Sequence, residues 1–132
     1  MSYLLDTNAC IRYLNGQSEN IKTRLEQLRP DEVVLCSVVK AELLYGAAKS
    51  NVGERTLARL DRFFSLFNSL PFDDRSAAAY GAIRADLERR GVPIGPNDLM
   101  IAAIAVANDS ILVAHNTREF GRVGNLKEED WE

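Results

Sequence analysis

Short apolar runs alternate along this chain with longer amphipathic stretches. The first apolar run ends at Asp6, and the second, at residues 32–36, is rich in β-branched valine. Such runs are typical of strands that are buried on both faces of a parallel sheet. The predicted strands are residues 3–5, 32–36, 70–72 and 111–114, with a last edge strand that begins near Leu126. The predicted helices are residues 9–14, 19–28, 38–49, 54–70, 73–90 and 96–108, followed by a short turn or helix at 117–120.

Capping residues and apolar stripes support these helices. Ser37 is a favourable N-cap for the helix at 38–49, and Gly91 suits the position that follows the helix at 73–90. In the helix at 54–70 the apolar side chains form one stripe, which we interpret as a core or dimer face rather than a ligand surface. Strands that alternate with helices in this way predict the α/β class, with a mainly parallel sheet of four to five strands.

Length, composition and charge narrow the class of protein. A chain of 132 residues predicts one domain, residues 1–132, whose core needs neither a disulfide nor a structural metal. No apolar run approaches the roughly 18 residues of a transmembrane helix, and the N-terminus lacks the basic start of a signal peptide, so we expect a cytoplasmic protein without a membrane partner. Cys10 and Cys36 are then expected to be free thiols that pack in the core. The net charge of −3 argues only weakly against a nucleic-acid partner, because a net value hides how charge is distributed.

Acidic residues recur where the predicted strands end. Asp6 ends the first strand, and Glu42 lies about one and a half turns into the helix that follows the second strand. Asp98 opens the last long helix, while Asn116 and Glu119 follow the last clear strand. Because connections in a parallel sheet bring the carboxyl ends of the strands to one edge, these side chains are expected to meet there.

Clustered carboxylates point to metal-dependent hydrolysis. Like charges that are brought together repel, so at least one carboxyl pKa rises, and a divalent cation removes the conflict. Mg²⁺ and Mn²⁺ prefer such oxygen ligands, make a bound water a better nucleophile and can hold a phosphodiester. Histidine is not required for this chemistry. The sole histidine, His115, is expected to be a packing or surface residue at the end of a strand, and a metal or general-base role is the less favoured alternative.

Each acid also has a purely structural interpretation. Asp6 and the two residues after it are all cap formers and could simply begin the first helix. Asp98 could be a helix N-terminal charge that the helix dipole stabilises, and Glu119 could be an acid in a polar loop. Glu42 could be a solvated helix acid, although its neighbours are apolar. The residues alone leave these alternatives open.

Five short segments carry a family pattern in their order and spacing. They are residues 5–8 (LDTN), 37–46 (SVVKAELLYG), 95–103 (GPNDLMIAA), 116–120 (NTREF) and 129–131 (EDW). Together they resemble the PIN-domain family, and within it the VapC-like toxins, over essentially the whole chain. The resemblance implies a PIN-like three-layer α/β/α fold with a central parallel sheet. It also implies a metal-dependent endoribonuclease toxin that cleaves structured RNA of the tRNA or rRNA class.

The resemblance assigns roles to individual residues. The four catalytic and metal-binding residues that it implies are Asp6, Glu42, Asp98 and Glu119, which would hold Mg²⁺ or Mn²⁺. Many relatives carry aspartate at the fourth position, where this chain has the longer Glu119, and a glutamate can reach a metal through water. The residues expected to support these carboxylates are Thr7, Asn8, Ser37 and Asn116, the last by positioning a ligand or a water.

Partners also follow from the resemblance. Toxins of this type are homodimers that a VapB-like antitoxin inhibits, and DNA is then bound only indirectly, through the antitoxin. Arginines would contact the RNA substrate, although each is equally well explained as a solvated helix charge. The candidates are Arg12, Arg84, Arg89, Arg90, Arg118 and Arg122.

Other classes of protein fit the sequence less well. A haloacid-dehalogenase-like phosphotransferase usually has Asp-x-Asp after the first strand, whereas residues 6–8 are DTN, and residues 72–74 (FDD) match a receiver-like domain poorly. Neither GxxxxGK nor GxGxxG is present, which disfavours nucleotide binding of those kinds. The remaining alternative is a catalytically inactive PIN-like module that binds RNA or protein, and the retention of all four acids argues against it.

Overall fold

A computed structural model describes residues 1–115 and 117–132, and these form five strands and seven helices. The strands are β1 (Tyr3–Leu5), β2 (Val33–Cys36), β3 (Asn68–Leu70), β4 (Ile111–Val113) and β5 (Lys127–Glu129). The helices are α1 (Thr7–Leu14), α2 (Glu19–Gln27), α3 (Ser37–Ala48), α4 (Gly53–Phe64), α5 (Asp74–Arg89), α6 (Pro96–Ala107) and α7 (Thr117–Phe120), with a 3₁₀ turn at Pro30–Glu32. The predicted alternation of strands and helices is therefore confirmed.

The strands form one parallel sheet in the order β3-β2-β1-β4-β5. Tyr3 of β1 pairs with Val33 on one side and with Ile111 on the other, so β1 lies at the centre of the sheet. Leu4 and Leu5 point to opposite faces, and both are fully buried. Burial on both faces requires helices above and below the sheet, which gives the three-layer α/β/α arrangement.

Helix α6 is the most deeply buried helix of the described chain. Its core residues include Leu99 and Ile101, and the run from Ala102 to Ala105 is fully buried. Alanine has almost no side chain, so it allows α5 and the sheet to approach the backbone of α6 closely. This packing fixes the N-terminal end of α6, where Asp98 lies.

Two predicted boundaries are wrong. The helix predicted at 54–70 ends at Phe64, and the third strand is Asn68–Leu70 rather than 70–72. The apolar periodicity continues beyond the end of the helix, because the ring of Phe67 packs edge-on against the ring of Phe63, with 5.4 Å between the ring centroids. Pairing of Asn68–Leu70 with β2 then overrides the helical pattern.

Ser37 is not the N-cap that the sequence predicts. Cys36 is the last residue of β2 and pairs with β3. Its backbone is still extended, so Cys36 occupies the N-cap position of α3. Ser37 is therefore the first residue of the helix itself, and its side chain is exposed. The prediction for Gly91 is confirmed, since it follows α5 with a φ of +72° that glycine adopts without strain.

Both cysteines and the apolar stripe of α4 lie where the sequence placed them. Cys10 and Cys36 are free thiols that are completely buried. Leu60 and Phe63 of the stripe are buried too, so this stripe faces the core. Within the part of the chain that the structure describes, no helix is both long and apolar enough to cross a membrane.

Candidate active site

Asp6 is fixed at the carboxyl end of the central strand β1. Its main-chain N–H donates to the carbonyl oxygen of Val113 in β4 at 3.1 Å. Its Oδ1 accepts a 2.8 Å hydrogen bond from the N–H of Ala9, so Asp6 is the N-cap of α1. The residue is only 5% exposed. The sequence-based alternative that Asp6 caps the first helix is therefore correct, and the cap involves Oδ1 but not Oδ2.

Glu42 lies on the second turn of α3, within electrostatic range of Asp6. The hydroxyl of Thr7 donates to Glu42 Oε1 at 2.7 Å. Because Thr7 follows Asp6 directly, this hydrogen bond links the start of α1 to α3, and the two helices pack together. Glu42 is thus a half-buried acid with a fixed orientation rather than a freely solvated helix charge.

Asp98 and Glu119 form a carboxyl pair. Asp98 is the third residue of α6, and Glu119 is the third residue of α7. The two carboxyl groups lie close enough for Glu119 to raise the pKa of Asp98. The two helix starts therefore bring together two acids that are far apart in the sequence.

Burial and mutual repulsion raise the pKa of two of these acids. Loss of hydration raises the pKa of Asp6 to about 6, with the charge of Glu42 adding to the effect and the capping hydrogen bond opposing it. The pKa of Asp98 rises to about 7. Loss of hydration is the largest cause, interaction with Glu119 is the second, and the charges of Glu42 and Asp6 make smaller contributions. Since the charges of the other three acids all act on Asp98, the four predicted acids lie near one another. We call Asp6, Glu42, Asp98 and Glu119 the acidic site.

The donor set of the acidic site fits a hard divalent cation. All four side chains offer carboxylate oxygens, and the charges that act on Asp98 are three other acids rather than a lysine or an arginine. A cation supplies the positive charge that this cluster lacks. Among the described residues, no three of these acids place their oxygens within 4.8 Å of one another.

The residues expected to support the carboxylates have different positions. Thr7 contacts Glu42 as described above, whereas Asn8 and Ser37 are exposed at the first turns of α1 and α3. Asn116 lies outside the described residues.

Among the residues that the structure describes, five of the six candidate arginines form polar contacts. Arg118 is exposed on α7, directly before Glu119, and is the candidate that lies nearest in sequence to an acid of the site. The contacts of α5 favour solvated ion pairs as the role of its arginines. The five contacts join Arg12 to Glu132, Arg84 to Glu88, Arg89 and Arg90 to Asp86, and Arg122 to the carbonyl oxygen of Pro93.

The sequence did not predict that the C-terminal segment reaches the acidic site. The charge of Glu132 contributes to the raised pKa of Asp6, and His115 acts in the opposite direction. His115 Nδ1 lies 3.0 Å from Asp130 Oδ2 and 3.6 Å from Glu132 Oε2. We call His115, Asp130 and Glu132 the His115 cluster. The only signal in the sequence was a sole histidine at the end of a strand together with an acidic C-terminal segment.

Comparison with known proteins matches the fold and almost the full length of the chain. The family model of the PIN domain matches residues 3–126. The chain is 42% identical to the tRNA(fMet)-specific endonuclease VapC of Shigella flexneri, over 99% of this chain and 98% of that protein.

Solved structures agree with this match. The crystal structure of VapBC2 from Rickettsia felis bound to a promoter DNA fragment contains a chain that is 38% identical, with a TM-score of 0.94 and complete coverage of both chains. The DNA-bound VapBC of Salmonella typhimurium is also 38% identical with a TM-score of 0.94, over 100% of this chain and 99% of that one. The chain therefore belongs to the PIN-domain family and, within it, to the VapC ribonucleases.

Proposed function

We propose that this chain is a metal-dependent endoribonuclease toxin of a VapBC-type pair, acting in the cytoplasm with residues 1–132 as one domain. The observation that carries the proposal is the convergence of three acids on Asp98, whose pKa rises to about 7. A fold gains no stability from four carboxylates in one place, so the cluster indicates a functional site. The VapC relatives, named as ribonucleases and endonucleases, support the same activity.

In this proposal Asp6, Glu42, Asp98 and Glu119 hold Mg²⁺ or Mn²⁺. When bound, such an ion activates water and neutralises charge on a phosphodiester. The chain itself keeps the ligands in place before substrate arrives: the helix cap fixes Asp6, and the hydroxyl of Thr7 fixes Glu42. Burial of Asp6 also excludes bulk water from one side of the site. Preorganised ligands of this kind do not have to be ordered at the moment of reaction.

Structured RNA of the tRNA or rRNA class is the proposed substrate. One relative is named as specific for tRNA(fMet), which supports tRNA first. Arg118 is the side chain best placed for a phosphate contact, because it is exposed and adjoins Glu119 on α7. The other candidate arginines are already paired within the chain, so they contribute less to binding of RNA.

A VapB-like antitoxin is the proposed inhibitor, with the chain as a homodimer as the resemblance implies. Solved relatives are VapBC assemblies, and two are bound to DNA. A groove between α1, α3 and α4 includes Glu42 in its lining, together with the apolar residues Ile11, Leu14, Leu43 and Leu60. An apolar helix of the antitoxin that lies in this groove would reach the acidic site, and DNA would be bound by the antitoxin rather than by this chain.

The proposed activity is tested by comparing Asp98→Asn with the matched control Asp109→Asn. Asp109 is an exposed acid paired with Lys127 at the other end of α6, outside the acidic site. In buffer with Mn²⁺, we expect Asp98→Asn to slow cleavage of a tRNA mixture by about 100-fold or more, and Asp109→Asn to cleave like the wild type. Chelation of divalent ions should stop cleavage by the wild-type chain, and Mg²⁺ or Mn²⁺ should restore it.

Circular dichroism establishes that both variants are folded. Full activity of a folded Asp98→Asn, or cleavage that persists in the presence of EDTA, would overturn the assignment. RNA binding without cleavage by the wild-type chain would instead favour the alternative, a catalytically inactive PIN-like binding module.

A further inference from the structure

The His115 cluster lies beside the acidic site but is not part of it. It joins the end of β4 to the C-terminal segment after β5, through His115 on one side and Asp130 and Glu132 on the other. One ligand atom from each of the three residues lies within 4.8 Å of the other two. His115 has a side chain that is 65% exposed, whereas that of Glu132 is only 12% exposed. The imidazole is thus accessible from solvent, and one of its acidic partners is held in place.

Each carboxylate of the cluster uses one oxygen for the scaffold and turns the other toward the imidazole. Asp130 Oδ1 accepts from the N–H of Glu132 at 2.9 Å, and Asp130 Oδ2 faces His115. Glu132 Oε1 is paired with Arg12, and Glu132 Oε2 faces His115. Asn20 donates to the carbonyl oxygen of Glu132 at 2.9 Å and fixes the backbone there. Outer contacts of this kind orient ligands in protein metal sites.

The spacing of the three groups is close to that of ligands around one ion. Ligand atoms about 2.05 Å from a tetrahedral Zn²⁺ lie about 3.3 Å apart, and about 3.0 Å apart around an octahedral ion. His115 Nδ1 lies 3.0 and 3.6 Å from the two facing oxygens, so little movement is needed. A nitrogen donor favours borderline ions such as Zn²⁺ over Mg²⁺, which prefers oxygen alone.

We propose that His115, Asp130 and Glu132 form a second cation site, which takes Zn²⁺ or a similar borderline divalent ion through imidazole Nδ1 and one oxygen from each carboxylate. This site is independent of the proposed nuclease activity and of its Mg²⁺ or Mn²⁺. An ion there ties the C-terminal segment to the end of β4. It also offsets the negative charge that Glu132 directs at Asp6.

The chain contains one histidine, so imidazole NMR signals report on this site alone. The experiment titrates ZnCl₂ into the ¹⁵N-labelled full chain at pH 8, where a free imidazole is neutral and can bind metal. We expect the Nδ1 signal of His115 to shift and to saturate at one equivalent of Zn²⁺. MgCl₂ at the same concentration should leave it unchanged.

Variants separate a built site from an exposed imidazole. Asp130→Asn and Glu132→Gln should each weaken Zn²⁺ binding at least about tenfold, whereas Glu128→Gln, a change of an acid in the neighbouring strand β5 and outside the cluster, should not. Asp98→Asn should leave the His115 response intact, so failure of the nuclease assignment and failure of this site are distinguishable. An unchanged His115 signal in the folded wild type would overturn the proposal, as would equal affinity in the wild type, Asp130→Asn and Glu132→Gln.

Discussion

Asp6 combines two roles that oppose each other energetically. As the N-cap of α1 it stabilises the helix, because its Oδ1 accepts a hydrogen bond from Ala9 at a point where the helix dipole also favours negative charge. As a buried acid near Glu42 it destabilises the fold when ionised, and the second effect is the larger, since the pKa rises to about 6. An acid is retained at this position despite that cost, which is typical of functional sites.

The raised pKa of Asp6 predicts how stability depends on pH. An acid whose pKa is higher in the folded chain than the ordinary 3.8 stabilises the fold fully below about pH 4, and this contribution is lost as pH rises through 6. Asp6→Asn keeps the capping oxygen but cannot ionise. Between pH 4 and pH 8 the wild type should therefore lose on the order of 2 to 3 kcal/mol of unfolding free energy relative to Asp6→Asn.

Urea unfolding in EDTA at several pH values measures this difference. EDTA is needed because a bound cation would favour the ionised carboxylate and reverse the trend. A difference between the two chains that stays constant from pH 4 to pH 8 would contradict the burial argument.

The acids of the acidic site were predictable from sequence because the rule that finds them is local. Asp6, Glu42 and Asp98 each lie a short, fixed distance beyond a strand or at the start of a helix, and a parallel sheet brings such positions to one edge. The His115 cluster was not predictable in this way. It depends on where the C-terminal segment after β5, which has no helical or strand periodicity, folds back, and only tertiary structure determines that.

The elements of this fold are short, and their stability depends on pairing and caps rather than on length. The strands have three or four residues each. The buried strands β1, β2 and β4 could be recognised because their sequences are apolar, whereas the edge strand β3 has no apolar run. Asn68 and Ser69 of β3 are exposed and poor strand formers, and backbone pairing with β2 alone makes them a strand. Sequence patterns therefore predicted the inner strands and misplaced this edge strand.

Substitutions of two glycines, one inside α5 and one just after it, should change the stability of the fold in opposite directions. Gly81 lies inside α5 with open space around it, so Gly81→Ala should stabilise the chain by about 0.5 to 1 kcal/mol through helix propensity. Gly91 follows the same helix with a φ of +72°, also with open space, so Gly91→Ala should destabilise it by about 1 kcal/mol through backbone strain alone. Thermal and urea unfolding measure both. A shift of the same sign in the two variants would mean that side-chain size, not backbone conformation, controls this helix.

At the scale of the whole molecule, the proposed sites lie close together at one edge of the sheet. The carboxyl ends of β1 and β4 lead to the acidic site and to the His115 cluster, and Glu42 also lines the groove between α1, α3 and α4. Arg84 pairs with Glu88, and Arg89 and Arg90 pair with Asp86, so these three candidate arginines are already engaged by acids of α5. In the proposed function, recognition of the antitoxin at the groove and cleavage at the acidic site therefore take place side by side.

This proximity predicts that inhibition by the proposed antitoxin can be removed without loss of cleavage. Ile11 lines the groove and is 38% exposed, so Ile11→Glu places a charge where an apolar partner helix would lie. Burying that charge costs about 2 kcal/mol or more, which weakens binding of the antitoxin about 30-fold. Leu66→Glu is the matched control, because Leu66 is 54% exposed but does not line the groove.

Growth of cells that express each variant with the neighbouring antitoxin gene measures the effect, and purified chains establish cleavage and affinity. Ile11→Glu should arrest growth despite the antitoxin, whereas Leu66→Glu and the wild type should be neutralised. The double variant Ile11→Glu with Asp98→Asn should be harmless, because the arrest requires RNA cleavage. Neutralisation of Ile11→Glu as complete as that of the wild type would show that the inhibitor reaches the acidic site by a route other than this groove.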